Sequence, residues 1–99
     1  MTEVYVNVIK QGEHILVVAC DIAVLGKKLK HGELTFEIKK QVYGNKKVKL
    51  EEAIELIKSS TCANLVGSNI VNGALKEKLV HPDAVILISG VPHAQLVKL

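Results

Sequence analysis

The sequence predicts an α+β fold, one mixed or antiparallel sheet of about five to six strands packed with two helices. Three observations predict it. Apolar runs of strand length recur along the chain, two stretches of helical apolar period interrupt them after residue 50, and the resulting order is β-β-β-α-β-α-β-β with no repeat or low-complexity segment. With 99 residues there is room for one core, so residues 1–99 are expected to form a single domain.

Residues 4–9, Val-Tyr-Val-Asn-Val-Ile, put Val4, Val6 and Val8 on one face and Tyr5 and Asn7 on the other. That period of two marks a strand with one wet face. Gln11-Gly12-Glu13 is a turn, and the run from His14 to Cys20 is apolar on both faces, as a central strand covered on both sides would be. Asp21 is placed to cap a short helical turn over 22–25, after which Gly26 and the lysine-rich stretch are expected to break regular structure. Leu-Thr-Phe-Glu-Ile, 34–38, alternates again as a third strand, and Tyr43-Gly44-Asn45 signals a turn.

From Leu50 the period changes. Leu50, Ala53, Ile54 and Ile57 share one helical face, and Glu51 and Glu52 in the first turn suit the helix dipole, which predicts a helix ending near Ser59. Cys62–Val66 is a short buried strand or extended link. Ser68 is a good N-cap for a second helix running to about Leu79, with Ile70, Val71, Ala74 and Leu75 inward. Gly73 inside it costs about 1 kcal/mol relative to Ala. His81-Pro82-Asp83 ends that helix; residues 84–89 predict a second strand apolar on both faces, and Gly90-Val91-Pro92 a turn into a final short strand, 94–97.

Composition narrows the function classes. A hydrophobic fraction of 48% supports a core, yet the only aromatic residues are Tyr5, Phe36 and Tyr43, too few for an ordinary base-stacking platform. The longest apolar run, Ile15–Cys20, is far short of the roughly 20 residues a membrane span needs. Met1-Thr2-Glu3 does not open a secretory signal, so a cytoplasmic protein with Cys20 and Cys62 as reduced, buried thiols is expected. The net charge is +3, and all thirteen basic residues are Lys. Eight of them (Lys27, Lys28, Lys30, Lys39, Lys40, Lys46, Lys47, Lys49) stand between Gly26 and Lys49 against Glu33 and Glu37, a local charge of +6, while the remainder carries −3.

These lysines are the first candidate site. Lysine is a compact point charge that contacts phosphate, so the segment is suited to docking on an RNA backbone; without Arg it is not suited to reading base edges. The competing reading is a solvated surface. Gly67-Ser68 at a helix start is a second candidate, for an anion on free backbone N–H groups, although a single glycine before a capping serine is a weak motif and simple capping is the favoured explanation. In the third, His93 and Gln95 project from one side of an extended strand behind Pro92 as a polar face for a partner or RNA backbone. Asn64 joins them as a polar contact residue. Cys20, Cys62, His81 and His93 lack the close spacing of a zinc site, so neither metal nor cofactor is expected. An enzyme or small-ligand binder using Cys62, Asn64 and His93, with Cys62–His93 as a nucleophile pair, is a further alternative, but no catalytic motif surrounds either residue. A last one is an interaction or homodimerisation module pairing through the edge of residues 94–97.

Ala63-Asn64-Leu65-Val66-Gly67 with the amphipathic helix that follows, the ending Ile88-Ser89-Gly90-Val91-Pro92-His93-Ala94-Gln95-Leu96-Val97, and the early Cys20-Asp21 with Leu25-Gly26-Lys27 together resemble the archaeal domain-of-unknown-function family 424. The resemblance covers nearly the full chain. It implies an archaeal cytoplasmic protein of unknown function with translation- and ribosome-related neighbours, and it carries over no catalytic residue. Together with the basic segment it leads to a small RNA- or ribosome-associated protein as the expected function.

Overall fold

Val4, Val6 and Val8 alternate with wetter residues through β1 (Glu3–Gln11), which turns at Gly12 and returns antiparallel as β2 (His14–Asp21), in register from Val4 opposite Asp21 to Gln11 opposite His14. The computed structural model describes residues 2–98. After β2 come β3 (Lys28–His31) and β4 (Leu34–Glu37), a short helix α1 (Lys40–Tyr43), β5 (Lys46–Lys49), α2 (Leu50–Lys58), β6 (Cys62–Val66), α3 (Ser68–Lys76), β7 (Ile86–Ile88) and β8 (Val91–Val97). Six strands form one mixed sheet in the order β5-β1-β2-β6-β8-β7, in which only β2 and β6 run parallel; β3 and β4 form a separate hairpin. The fold is α+β.

The sheet is covered on both faces, which is why β2 is apolar on both. Val17 and Ala19 face α2 and α3 in a core with Val4, Val6, Ile57, Leu65 and Ile70. Val18 and Cys20 face the opposite way, into a smaller core with Leu29, Ile38, Tyr43, Val66 and Ile88. The second cover is the β3–β4 hairpin with α1.

Three parts of the chain depart from the sequence expectation. The lysine-rich stretch was expected to lack regular structure and instead holds β3, α1 and β5. Lys28-Leu29-Lys30 and Lys47-Val48-Lys49 each offer one apolar side chain, Leu29 or Val48, to a core, so a four-residue strand carries too little periodicity to be seen alone; pairing supplies what the pattern lacks. Residues 84–89 are not a strand buried on both faces: Pro82–Ala84 is a 3₁₀ turn, and only Ile86–Ile88 pairs, at the sheet edge, leaving Ile86 48% and Leu87 60% exposed. The turn after it is Ser89-Gly90, not Gly90-Val91-Pro92. Both residues have positive φ, 51° and 80°, as a two-residue hairpin of the primed type requires, so β8 begins already at Val91.

The third departure is the start of α3. Its N-cap is Gly67, not Ser68, and no side chain local to the helix caps it. The Asp21 carboxylate reaches across from the end of β2 and accepts from Asn69 N at 2.8 Å and Ile70 N at 3.0 Å. It makes no capping bond to the 3₁₀ turn Ile22–Val24 that it precedes. Gly67 sits at φ +120°, and a Cβ there would collide with the Asp21 carboxylate. Only glycine meets both demands.

Candidate functional site

The hairpin sits over the second face of the sheet as a partial roof. Leu29 and its cross-strand partner Phe36 both point toward the sheet; Leu29 is buried, while Phe36 remains 38% exposed. Lys30 ties the roof down, its N–H donating to Ser89 Oγ at 3.0 Å while that hydroxyl donates to Lys30 O at 2.6 Å. Gly26 N to Ile38 O at 2.7 Å and Ile38 N to Lys27 O at 2.9 Å extend the hairpin ladder.

Beneath Phe36 the floor is polar. Asn64 on β6 pairs directly with Gln95 on β8, and Val66 with His93, so these four side chains share the face under the roof. His93 Nε2 lies 2.8 Å from Asn64 Oδ1. With that amide oxygen accepting, Nε2 carries the ring proton and Nδ1 is left as an acceptor. Burial holds the imidazole below its usual pKa of 6.5, so His93 is the neutral form at neutral pH. No side-chain hydrogen bond among the described residues engages Gln95 or the Asn64 amide nitrogen. A cavity of about 290 Å³, lined by Phe36, Tyr43, Asn64, His93 and Gln95 among others, opens here. It shares Phe36, Ile88, His93 and Gln95 with a neighbouring cleft of about 460 Å³ that runs out to Ile86.

The structure divides the eight lysines. Lys28 and Lys30 lie on the outer face of the hairpin, away from Leu29; Lys27 precedes them, and Lys39 and Lys40 open α1. Lys47 and Lys49 stand on the same sheet face as Tyr5 and Glu3, with Lys47 Nζ 5.7 Å from the Tyr5 ring centre. Lys46 turns the other way with Val48 and meets Glu52 of α2 at 3.7 Å. All eight are exposed. The helical face differs in charge, with Glu51, Glu52, Glu55 and Glu77 among its lysines and Lys58 bracketed by Glu55 at 3.1 Å and Glu77 at 3.2 Å. A groove of about 300 Å³ between α2 and α3 is lined by Glu51, Glu55 and Glu77 as well as Lys76, which makes it a poor seat for a polyanion.

The other sequence candidates fare differently. Gly67 and Ser68 do not form an anion site: Gly67 is buried and its N–H donates to Pro92 O at 2.8 Å, and Asp21 already occupies the N–H groups of Asn69 and Ile70. Cys62 shares a sheet face with Asn64 but stands opposite Val97, four residues along β6 from the pair Val66–His93, or about 13 Å at strand spacing. It lines neither cavity under the roof. Cys20 is buried, and burial followed by the neighbouring Asp21 charge pushes its thiol up to about 12. Among the described residues no group of three or more His, Cys, Asp or Glu is placed to hold a metal, and no helix is long and apolar enough to cross a membrane. The sequence reading missed Phe36. Its alternation with Leu34 and Ile38 did signal an apolar face, but what that face overhangs depends on the hairpin's docking.

A family model described as "Protein of unknown function (DUF424)" matches residues 9–99. No curated protein matches the chain. A crystal structure of an uncharacterized conserved protein from Methanopyrus kandleri shares the fold, with a TM-score of 0.80 at 23% sequence identity over 98% of this chain and 95% of that one. At that identity the likeness speaks for the fold alone.

Proposed function

The chain belongs to the DUF424 family of proteins of unknown function, and from its own geometry we propose that it is an RNA-contacting protein, associated with ribosomal or other RNA, that docks the hairpin side of the sheet on a phosphate backbone. One observation carries the reading. Seven of the eight lysines of the basic segment, all but Lys46, lie in the hairpin layer or on the sheet face it covers, and the acidic residues of α2 and α3 lie on the other side. Such a one-sided field orients a weakly basic protein on a polyanion without needing a high total charge. The Asn64–His93–Gln95 floor adds a polar contact within the same surface.

The test is salt-dependent binding to single-stranded RNA and co-sedimentation with ribosomal subunits. If about four of the lysines meet phosphates, affinity falls about 50-fold between 50 and 200 mM salt, from a slope of about −0.7 per phosphate on single strands. Replacing Lys28 and Lys30 by Gln flattens that slope, while Lys46→Gln leaves it unchanged. RNA binding that is absent even at low salt refutes the proposal.

A protein-pairing role has one specific observation in its favour. β7 pairs only with Val91–His93, so residues 94–97 of β8 have β6 on one side and, among the described residues, no strand on the other, with Val97 69% exposed. Unpaired edges of this kind accept added strands. A dimer mass in light scattering that Val97→Lys abolishes would establish that reading.

A further inference from the structure

We infer that the recess under Phe36 is a binding site for one unpaired nucleobase, its sugar-phosphate lying against the lysines of the hairpin. This deepens the RNA reading and rests on it for the source of the base.

The recess matches a neutral, planar, polar-edged ring. Its floor carries the neutral side chains Asn64, His93 and Gln95, and the one charged residue in its lining, Glu37, stands on the hairpin directly opposite Lys28. Asn64 and Gln95 are direct cross-strand partners, which sets their Cβ atoms about 5 Å apart. Each amide both donates and accepts, as base edges do, and Asn and Gln are the side chains that take a donor–acceptor edge such as that of adenine in a bidentate manner. His93 is anchored through Nε2 on Asn64, which fixes the amide and presents Nδ1 as one more acceptor.

The wall supplies the stacking surface. Phe36 projects from β4 over the floor, half in solvent, and lines both the cavity and the cleft beside it. Recognition of single-stranded RNA relies on splayed bases stacked on an aromatic ring and bonded along their edges. Of the two rings that line it, Tyr43 is buried and Phe36 alone is exposed for stacking, so the site takes a single base, and the scarcity of aromatic residues, which argues against a stacking platform, is compatible with a pocket. The hairpin that carries Phe36 inward carries Lys28 and Lys30 outward. A neutral ring attached to an anion is what that arrangement favours, and a free nucleotide shares this chemistry with an RNA strand.

The experiment is a side-chain amide NMR titration of the ¹⁵N-labelled full chain, with two arms: the four nucleoside monophosphates, and the four eight-residue homopolymer RNAs. Saturable shifts of the Asn64 and Gln95 amides with one homopolymer, about tenfold weaker in Gln95→Ala and in Phe36→Leu at unchanged salt slope, are the expected result. Gln95 is exposed, so its variant keeps the fold, and an unchanged backbone spectrum checks this. Shifts with a monophosphate but no RNA binding support the pocket with a free nucleotide as its ligand and overturn the RNA reading. Unmoved Asn64 and Gln95 amides in both arms overturn the pocket; salt-dependent RNA binding through the lysines then leaves the RNA reading standing.

Discussion

Removing the Asp21 carboxylate should destabilise the protein far more than the loss of an ordinary cap. Gly67 offers α3 no side chain, so the first N–H groups of the helix depend on a residue that arrives from β2, 48 positions upstream of Asn69. In Asp21→Ala two charge-assisted hydrogen bonds are lost. Asn69 is exposed and its N–H recovers a bond to water, which limits that loss to about 1 kcal/mol; Ile70 is fully buried and its N–H does not, adding about 2 kcal/mol. The sum of about 3 kcal/mol is a large part of the roughly 5–15 kcal/mol that holds a domain folded and lowers Tm by about 12–24 °C in a chain of this size. Urea unfolding followed by circular dichroism measures it. The collision at Gly67 adds a coupling: Gly67→Ala meets the positive φ and both the carboxylate and the Cβ of Asp21 in the native background, but only the φ strain and the Cβ contact once Asp21 is Ala. The two substitutions should therefore be less than additive in a double-mutant cycle. An Asp21→Ala cost below about 1 kcal/mol, or additivity within about 0.5 kcal/mol, would refute the assignment of Asp21 as the distant cap.

Ser89→Ala removes both bonds that hold Lys30, at a cost of about 1–2 kcal/mol, and should raise hydrogen exchange at the Lys30 amide; unchanged protection there would show that the hairpin is held by Leu29 and Ile38 alone. Because His93 has its pKa lowered in the folded state, the unfolded chain binds the more protons, so stability drops as pH falls through about 6.5 and levels off below the folded pKa. His93→Gln should flatten that part of the stability–pH curve, and a His93 ring titration midpoint at or above 6.5 by NMR contradicts the burial argument. Ellman's reagent at pH 8 should modify one thiol in the native protein, the half-buried Cys62, and a second only after unfolding exposes Cys20; rapid native reaction at two sites would mean that the β2 core opens readily.

Much of the fold is legible in the residues themselves. β1, β2, α2 and β6 follow from periods of two, continuous apolar runs and a helical stripe, because each buries enough side chains to leave a pattern. β3 and β5 do not, because one buried residue apiece, Leu29 and Val48, makes no period. Residues 84–89 mislead for the opposite reason: an apolar run of strand length promises two covers, but β7 is the last strand of the sheet and only Ile88 is buried.

The candidate site divides along the same line. The lysine concentration and the shared face of His93 and Gln95 are properties of local sequence and strand alternation, so the sequence alone determined them. It also determined that the chain would be α+β. Only the tertiary structure decided that Asn64 stands opposite Gln95, that Phe36 hangs above them, that Lys46 faces away from the other lysines, and that Gly67 is filled from Asp21 rather than open to an anion. Each of these is a contact between segments about 20 to 60 residues apart, fixed by strand order and register. Charge and apolar period along a single strand carry no record of which other strand lies beside it.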